Sequence, residues 1–86
     1  MSGYSIQFRS SARKDLQKLP PSILGSILES ISKLAETPRP SGCKKLQGHK
    51  NLWRIRIADY RVIYEIDDKG KIIIIAAVSH RKDAYR

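Results

Sequence analysis

The sequence lacks the features of secreted and membrane proteins. Its 86 residues include a single cysteine, Cys43, so no disulfide forms within the chain, which is typical of a reducing cytoplasm. No apolar run reaches the roughly 18 residues that a membrane-spanning helix requires. Residues 1–10 also lack the apolar core and cleavage site of a secretory signal. We therefore expect a soluble, cytoplasmic protein that does not act at a membrane.

Metal-binding and phosphate-loop motifs are also missing. The candidate ligands Cys43, His49 and His80 are too few and too scattered for a zinc site, whose ligands usually come as two close pairs. Asp67 and Asp68 are adjacent, and in a turn this spacing favours backbone hydrogen bonding over acid–base chemistry. There is no glycine-rich phosphate-binding loop of either usual spacing. The sequence therefore predicts neither a metal nor a cofactor.

Acidic residues are scarce. Lys and Arg number 17 against 8 Asp and Glu, which gives a formal net charge of +9. This is just above the magnitude of about 2 to 8 that solubility asks of a small domain. The excess favours an anionic partner: a nucleic acid, an anionic membrane surface or an acidic protein. The length predicts one domain over residues 1–86, with a core built from one sheet face and one or two helices.

The most informative stretch is 52–66, LWRIRIADYRVIYEI. Side chains alternate across a strand, so this pattern predicts a β-hairpin with arginines on one side and apolar residues on the other. A two-residue turn at Ala58 and Asp59 places Arg56 directly opposite Arg61. Like charges facing each other destabilise a ladder by about 0.2 to 1 kcal/mol. We therefore expect these arginines to bind a polyanion.

The other segments predict the fold class. Alternation over 4–8 predicts a strand, and 12–19 a helix capped by one of the two preceding serines. Apolar residues at helical spacing over 23–35 predict a longer helix that begins after two prolines, and 37–51 reads as a loop. A continuous apolar run over 71–79 is typical of a central strand. We expect an α+β fold: two N-terminal helices packed on a small antiparallel or mixed four-stranded sheet, in the order β-α-α-β-β-β.

The turn between the last two strands sets the register of the final strand. The sequence of 67–70 predicts a turn in which Gly70 takes a positive φ, with Ile66 opposite Lys71. Regular alternation from there places Ile72, Ile74, Ala76 and Val78 on the same side of the sheet as the arginines. Projected further, His80 also emerges on that side.

The remaining candidates for chemistry form a basic set with one aromatic. Arginine grips phosphate oxygens with a planar fork of donors and can stabilise a phosphorane-like transition state. It cannot act as a base, so proton transfer requires His80 or Tyr85. The candidate set is Arg54, Arg56, Arg61, His80, Arg81, Lys82 and Tyr85.

The hairpin LWRIRIADYRVIYEI, the preceding KKLQG and the terminal VSHRKDAYR resemble the RelE branch of the RelE/ParE toxin superfamily. The resemblance covers nearly the whole chain and implies the toxin of a type II toxin–antitoxin system. Toxins of this branch are endoribonucleases that cleave messenger RNA, usually in the ribosomal A site. In the mechanism of this branch, a ribose 2′-hydroxyl of the messenger RNA attacks the neighbouring phosphate. The reaction uses no metal and leaves a 2′,3′-cyclic phosphate and a 5′-hydroxyl.

The resemblance also implies roles for particular residues. Arg61 and Arg81 correspond to phosphate-binding and transition-state-stabilising arginines, and Tyr85 to a base or stacking residue. A well-known member has a lysine where this chain has His80, so the histidine is a candidate for proton transfer. The expected substrate-binding residues are Arg54, Arg56, Lys44, Lys45 and Lys82. The implied partners are a cognate antitoxin, the ribosome and messenger RNA, with the antitoxin complex bound to DNA for autoregulation.

Two alternatives remain open. A ParE-like relative inhibits DNA gyrase by protein contact and would need neither His80 nor Tyr85. A basic nucleic-acid-binding module would use the arginines only to hold phosphates. The chemistry of the products separates these alternatives from a nuclease, whereas salt dependence does not, because every phosphate binder weakens as ionic strength rises.

Overall fold

The computed structural model describes residues 3–48 and 51–80. Two helices pack against one mixed sheet, which confirms the α+β class. The sheet order is β1-β5-β4-β3-β2; β1 runs parallel to β5 and the other neighbours are antiparallel. The elements are β1 (Ser5–Phe8), α1 (Ser10–Gln17), α2 (Pro21–Lys33), β2 (Lys44–Lys45), β3 (Leu52–Ile57), β4 (Tyr60–Asp67) and β5 (Ile72–His80). The short β2 is the fifth strand, and it lies inside the segment predicted to be a loop.

Helix α1 closes the edge of β5 beyond its pairing with β1. The N-cap residue is Arg9, without a side-chain cap, so the prediction of a serine cap is wrong. Ser11 lies within the helix, and its Oγ donates to the carbonyl oxygen of Ala76 at 2.9 Å. The backbone N–H of Val78 donates to Asp15 Oδ2 at 3.0 Å. Polar side chains of α1 thus hydrogen-bond β5 where β1 has already ended.

Helix α2 supplies much of the core. It begins at Pro21, where the fixed φ of proline suits the first helical turn and no N–H is lost from the helix. The apolar spacing predicted from the sequence puts Ile27 and Ile31 on the buried side, followed by Leu34. They pack with buried residues of β3, β4 and β5, including Tyr64. Neither helix in the described ranges is long and apolar enough to cross a membrane.

The β3–β4 hairpin has the predicted register. Ile57 lies opposite Tyr60 and Arg56 opposite Arg61, so the connecting loop is the two residues Ala58 and Asp59. Ala58 adopts a φ of 54°. A non-glycine residue rarely adopts a positive φ, and tight hairpin turns therefore usually contain Asn-Gly or Asp-Gly. Ala-Asp forms the turn here without that signature.

The β4–β5 turn differs from the prediction. Ile66 pairs with Ile73 rather than with Lys71, because β4 continues to Asp67 and the four-residue loop begins after it. The positive φ belongs to Lys71, at 57°, and not to Gly70. Gly70 instead donates its backbone N–H to Asp67 Oδ1 at 3.0 Å. The aspartate side chain therefore shapes this turn, as short polar side chains commonly do.

Strand β5 contains an irregularity that reverses its alternation. The register shifts between Ile63, which pairs with Ala77, and Tyr64, which pairs with Ile75. Ala76 is therefore an extra residue between two paired ones, the arrangement of a β-bulge. Every side chain after it lies on the face opposite to the one that regular alternation predicts.

The predicted sides of the β5 side chains are correct before the bulge and wrong after it. Ile74 lies opposite Glu65, on the side of the arginines, as predicted. Val78 lies opposite Val62 and is only 4% exposed. The predicted placement of Val78 on the arginine side is therefore wrong, because the bulge turns it into the core.

Candidate functional site

Three arginines occupy the side of the sheet opposite the helices. Ile55 and Val62 point into the core with the helices, so their strand neighbours point the other way. Arg56 is exposed, whereas Arg54 and Arg61 are half-buried. We refer to these three side chains as the arginine face. The alternation read from the sequence predicted this separation of arginines and core residues.

The central feature of the arginine face is the pair Arg56 and Arg61, which lie directly opposite each other on β3 and β4. Side chains at opposed positions have Cβ atoms about 4.5 to 5.5 Å apart, so two positive groups there repel. An anion bound between them would replace this repulsion with two attractions. The planar guanidinium fork suits phosphate oxygens in particular, because it can donate two parallel hydrogen bonds.

The two lysines predicted to bind substrate are separated by the pairing of β2 with β3. Lys44 lies opposite Arg54, and Lys45 lies opposite Trp53. Opposed residues share a face, so Lys44 extends the arginine face and Lys45 points to the other side of the sheet. Both are exposed. The structure thus brings only Lys44 to the predicted site.

A fourth arginine, Arg9, borders this face, and it was not among the site residues predicted from the sequence. Arg9 Nη2 and Glu65 Oε1 form an ion pair at 2.8 Å, and Glu65 lies on the arginine side of β4. The alternation of β1, continued by one residue, would have placed Arg9 on that side. Partly exposed pairs of this kind contribute about 0 to 1 kcal/mol to stability. Its main effect is that Arg9 engages the carboxylate of Glu65.

His80 does not lie on the arginine face. It pairs with Tyr60, on the opposite side of the sheet from Arg61, and the two rings meet edge to face with centroids 5.1 Å apart. Ser79 is the residue opposite Arg61. The predicted position of His80 is wrong because the bulge at Ala76 reverses the alternation. Its role in proton transfer stays a prediction, and Arg81, Lys82 and Tyr85 lie outside the described residues.

A polar network fixes the segment that connects α2 to β2. Arg39 donates to both carboxylate oxygens of Asp68, at 3.3 and 2.9 Å, and the Tyr4 hydroxyl donates to Oδ1 of the same carboxylate at 2.8 Å. The hydrogen bonds from Arg39, and then that from Tyr4, lower the pKa of Asp68. The Arg39 guanidinium also lies over the Trp53 ring, 4.8 Å from its centroid, a favourable cation–π position.

Tyr64 secures the same segment from the core. Its hydroxyl donates to the backbone carbonyl of Pro38 at 2.8 Å, and burial, the largest cause, raises the pKa of this hydroxyl above its usual value. The group therefore remains a protonated donor at neutral pH. Together with Arg39, Tyr64 sets the path of the chain that leads to Lys44.

Cations dominate the chemistry of the arginine face, because the Glu65 carboxylate on the same side of the sheet is paired with Arg9. Within residues 3–48 and 51–80, no three His, Cys, Asp or Glu side chains come together in a group that could hold a metal ion. Arg56, Arg61 and Lys44 can bind phosphates and offset negative charge. A guanidinium has no acceptor for a proton, so the proton acceptor has to come from another group of the chain or from the substrate complex.

Comparison with known proteins assigns the chain to a family. Residues 6–85 match the sequence model of the ParE toxin of type II toxin–antitoxin systems. The toxin RelG of Mycobacterium tuberculosis is 36% identical over 84 residues, which cover 96% of this chain and 97% of RelG. The RelBE2 toxin–antitoxin complex of M. tuberculosis contains a chain with a TM-score of 0.84 at 35% identity, covering 94% of both chains. The RelE–RelB complex of Pyrococcus horikoshii gives a TM-score of 0.81 at 34% identity, covering 94% of this chain and 97% of that one. The chain therefore belongs to the RelE/ParE family of toxins of type II toxin–antitoxin systems.

Proposed function

We propose that this toxin is an endoribonuclease that cleaves messenger RNA in the ribosomal A site, in the cytoplasm, as a single domain. The observation that carries the proposal is the opposed pair Arg56 and Arg61 on the side of the sheet opposite the helices. A fold that keeps two like charges together against their repulsion gains when RNA phosphates bind to them. The similarity to proteins named RelG and RelE supports the nuclease over a purely structural role.

The proposed reaction is an internal transesterification. The ribose 2′-hydroxyl loses its proton to a base, and its oxygen forms a bond to the neighbouring phosphorus. The bond from phosphorus to the 5′-oxygen of the next nucleotide breaks, and that oxygen takes up a proton. The products are a 2′,3′-cyclic phosphate and a 5′-hydroxyl. The nucleophile comes from the substrate, so the protein needs to supply only positioning, charge stabilisation and proton transfer.

The residues divide between these tasks. Arg61 and Arg81 bind the scissile phosphate and stabilise the extra negative charge of the transition state. Arg54, Arg56 and Lys44 hold flanking phosphates. His80 and Tyr85 are the candidates for proton transfer; these two and Arg81 come from the C-terminal end of the chain. Of the remaining lysines, Lys82 would contact RNA, whereas Lys45, on the other side of the sheet, would not.

An antitoxin follows from the family. The two related structures compared above are toxin–antitoxin complexes. We propose that the cognate antitoxin inhibits this toxin by placing an acidic or amphipathic segment over the arginine face, where opposite charges give specificity and fast association. The complex of the two proteins would bind its operator DNA.

Gyrase inhibition is the second candidate, because the matching family model is that of the ParE toxin. A gyrase inhibitor acts by protein contact and leaves RNA intact. A supercoiling assay with purified gyrase, run beside the RNA assay, separates the two functions. Inhibition of gyrase without RNA cleavage would replace the nuclease proposal.

Cleavage on ribosomes tests the proposal. Ribosomes programmed with a defined messenger are incubated with the purified toxin, and the new RNA ends are mapped and typed. We expect cuts that leave 5′-hydroxyl and 2′,3′-cyclic phosphate ends. Arg61→Ala should lower the rate by about 10² to 10³, the usual effect of removing a group that stabilises transition-state charge. A short model RNA cleaved in EDTA tests the independence from metal.

The control is Arg13→Ala, which removes an exposed arginine from α1 on the other side of the sheet. We expect its rate to equal that of the wild type. His80→Gln and Tyr85→Phe then apportion proton transfer, and the residue responsible should show a loss of about 10² to 10⁴. Equal activity in Arg61→Ala and Arg13→Ala would remove the arginine face from the mechanism.

A further inference from the structure

Strand β5 adds a third residue to the row that Arg56 and Arg61 form across the sheet. Arg56 lies opposite Arg61, and Arg61 lies opposite Ser79. Opposed residues share a face of the sheet, so the three side chains stand next to one another on the side opposite the helices. Neighbouring strands are about 4.8 Å apart. Ser79 is therefore an immediate neighbour of the Arg61 side chain.

The bulge in β5 is the reason that a hydroxyl occupies this position. Tyr64 pairs with Ile75, and a regular ladder continued from that pair would set Val78 opposite Arg61. The extra residue shifts the pairing by one position, so Ser79 takes that place and Val78 turns into the core. The fold thus puts a polar side chain beside Arg61 where regular alternation would put an apolar one.

Ser79 differs chemically from its two neighbours in the row. A guanidinium only donates hydrogen bonds, whereas a hydroxyl both donates and accepts. The carboxylates that β4 carries on the same side, Glu65 and Asp67, lie further along the strand. They accept hydrogen bonds from Arg9 and from the backbone N–H of Gly70. Within the row, Ser79 is therefore the side chain that can accept a hydrogen bond from a ligand.

The burial of Arg61 brings its ligand close to this hydroxyl. Ser79 and Arg61 are both half-buried, and the Nε atom of Arg61 is buried. The arginine side chain therefore lies against its neighbours and does not extend fully into solvent. A phosphate bound by its terminal nitrogens lies near the sheet, where the short side chain of Ser79 can contact the sugar attached to that phosphate.

We propose that Ser79 accepts a hydrogen bond from the ribose 2′-hydroxyl of the nucleotide whose 3′-phosphate Arg61 binds, and that it thereby selects RNA over DNA. The assignment rests on the proposed nuclease function, in which this hydroxyl is the nucleophile. The 2′-hydroxyl is both donor and acceptor, and it is the group by which a protein distinguishes RNA from DNA at a given site. The hydrogen bond orients the 2′-oxygen towards phosphorus. It does not remove the proton, which passes to the base of the reaction.

Nucleotides that cannot be cleaved test the recognition of the sugar by itself. Adenosine 3′-monophosphate carries the phosphate and the 2′-hydroxyl but no leaving nucleotide, and 2′-deoxyadenosine 3′-monophosphate lacks only that hydroxyl. Each is titrated into isotope-labelled protein, and the backbone amide signals of Arg61 and Ser79 are followed by NMR. We expect the ribonucleotide to bind about two- to tenfold more tightly, which is the contribution of one hydrogen bond.

Two substitutions of nearly equal shape separate the hydroxyl from the volume of the side chain. Ser79→Thr keeps the hydroxyl, and Ser79→Val replaces it with a methyl group; both side chains are β-branched and suit a strand. We expect Ser79→Thr to prefer the ribonucleotide as the wild type does, and Ser79→Val to bind both nucleotides equally. Ser5→Ala is the matched control, because Ser5 lies opposite Ile72 at the other end of β5. It should keep the wild-type preference.

Cleavage on ribosomes measures the consequence for the reaction. Single-turnover rates at saturating toxin report the bound complex and are independent of affinity. We expect Ser79→Val to cleave about two- to tenfold more slowly than Ser79→Thr under these conditions, because the 2′-oxygen is less well oriented towards phosphorus. Ser5→Ala should cleave at the wild-type rate.

The outcomes of the two experiments are distinct. A preference for the ribonucleotide that Ser79→Thr keeps and Ser79→Val loses supports the inference. If the wild type shows that preference but cleaves no RNA, Ser79 belongs to a ribonucleotide-binding site and the nuclease proposal is removed. Equal preferences in Ser79→Thr and Ser79→Val, or equal binding of the two nucleotides by the wild type, overturn the inference. Cleavage of ribosome-bound RNA by the wild type would then leave the nuclease proposal intact.

Discussion

At the scale of single residues, function and stability make opposite demands on Arg56. Its position opposite Arg61 costs the ladder about 0.2 to 1 kcal/mol relative to a neutral pair. In a domain whose free energy of unfolding is about 5 to 15 kcal/mol, this is a tolerable but measurable loss. The same juxtaposition creates a phosphate site from two adjacent strands without any loop. The site is therefore formed by the hairpin itself.

This conflict predicts that a functional loss accompanies a gain in stability. Arg56→Glu places opposite charges across the ladder, and we expect the free energy of unfolding to rise by about 1 kcal/mol while RNA cleavage falls. Chemical denaturation measures the first effect and the ribosome assay the second. Arg13→Glu, on exposed α1, carries the same change in net charge. An equal gain in stability in both variants would attribute the effect to net charge rather than to the opposed pair.

At the scale of elements, the segment between α2 and β2 depends on one side chain in a distant turn. Asp68 holds Arg39 and Tyr4, and Arg39 covers Trp53. None of these contacts can be read from local pattern, because Arg39 and Asp68 are 29 residues apart. The network connects the β4–β5 turn to the chain that carries β2, and so connects two regions that are remote in the sequence.

The network predicts a pH dependence. The folded pKa of Asp68 lies below its ordinary value of about 3.9, because Arg39 and Tyr4 hydrogen-bond its carboxylate. Its contribution to stability is therefore complete above that ordinary value and is lost as pH falls through the lower folded pKa. We expect the difference in unfolding free energy between the wild type and Asp68→Asn to be constant from pH 7 to about 5 and to shrink below about pH 4.

The matched control for this measurement is Asp59→Asn, at an exposed aspartate in the β3–β4 turn. Unfolding by urea is followed at several pH values for the three proteins. The prediction fails if the difference in unfolding free energy between the wild type and Asp68→Asn stays the same down to pH 2. The stabilising effect of the contacts to Asp68 would then not require an ionised carboxylate.

At the scale of the whole molecule, the fold sorts charge by layer. The helices cover one face of the sheet, and β2, β3 and β4 each bring cations to the other. Lys44 and Lys45 are neighbours in sequence, yet pairing with β3 assigns them to opposite sides. Net charge alone treats them as equal. The structure makes one of them part of the candidate RNA surface and leaves the other outside it.

This separation predicts different salt dependences for two neighbouring lysines. For single-stranded nucleic acid, each phosphate contact contributes about 0.7 to the slope of log affinity against log salt. We expect Lys44→Gln to reduce the slope by about that amount for an RNA blocked by 2′-O-methyl groups. Lys45→Gln should leave it unchanged. Fluorescence anisotropy at several salt concentrations measures both, and equal slopes for the two variants would contradict the assignment of faces.

The sequence by itself determined the elements and the hairpin. Helix α2 follows from apolar spacing, and the register of β3 on β4 follows from alternation because only two residues join these strands. The arginine face is thus a local property. The prediction of four strands missed β2, whose two residues carry too short a pattern to indicate a strand.

Tertiary structure alone decided what depends on distant contacts. The bulge at Ala76 accompanies two hydrogen bonds between α1 and β5: Ser11 donates to the carbonyl of Ala76, and the N–H of Val78 donates to Asp15. No periodicity within β5 records them. For this reason alternation placed Val78 and His80 on the wrong face. The sides taken by Lys44 and Lys45, the ion pair of Arg9 and the position of Ser79 opposite Arg61 arise in the same way. Each of these features depends on a contact between two segments. The alternation of side chains within one segment does not indicate which other segment it will contact.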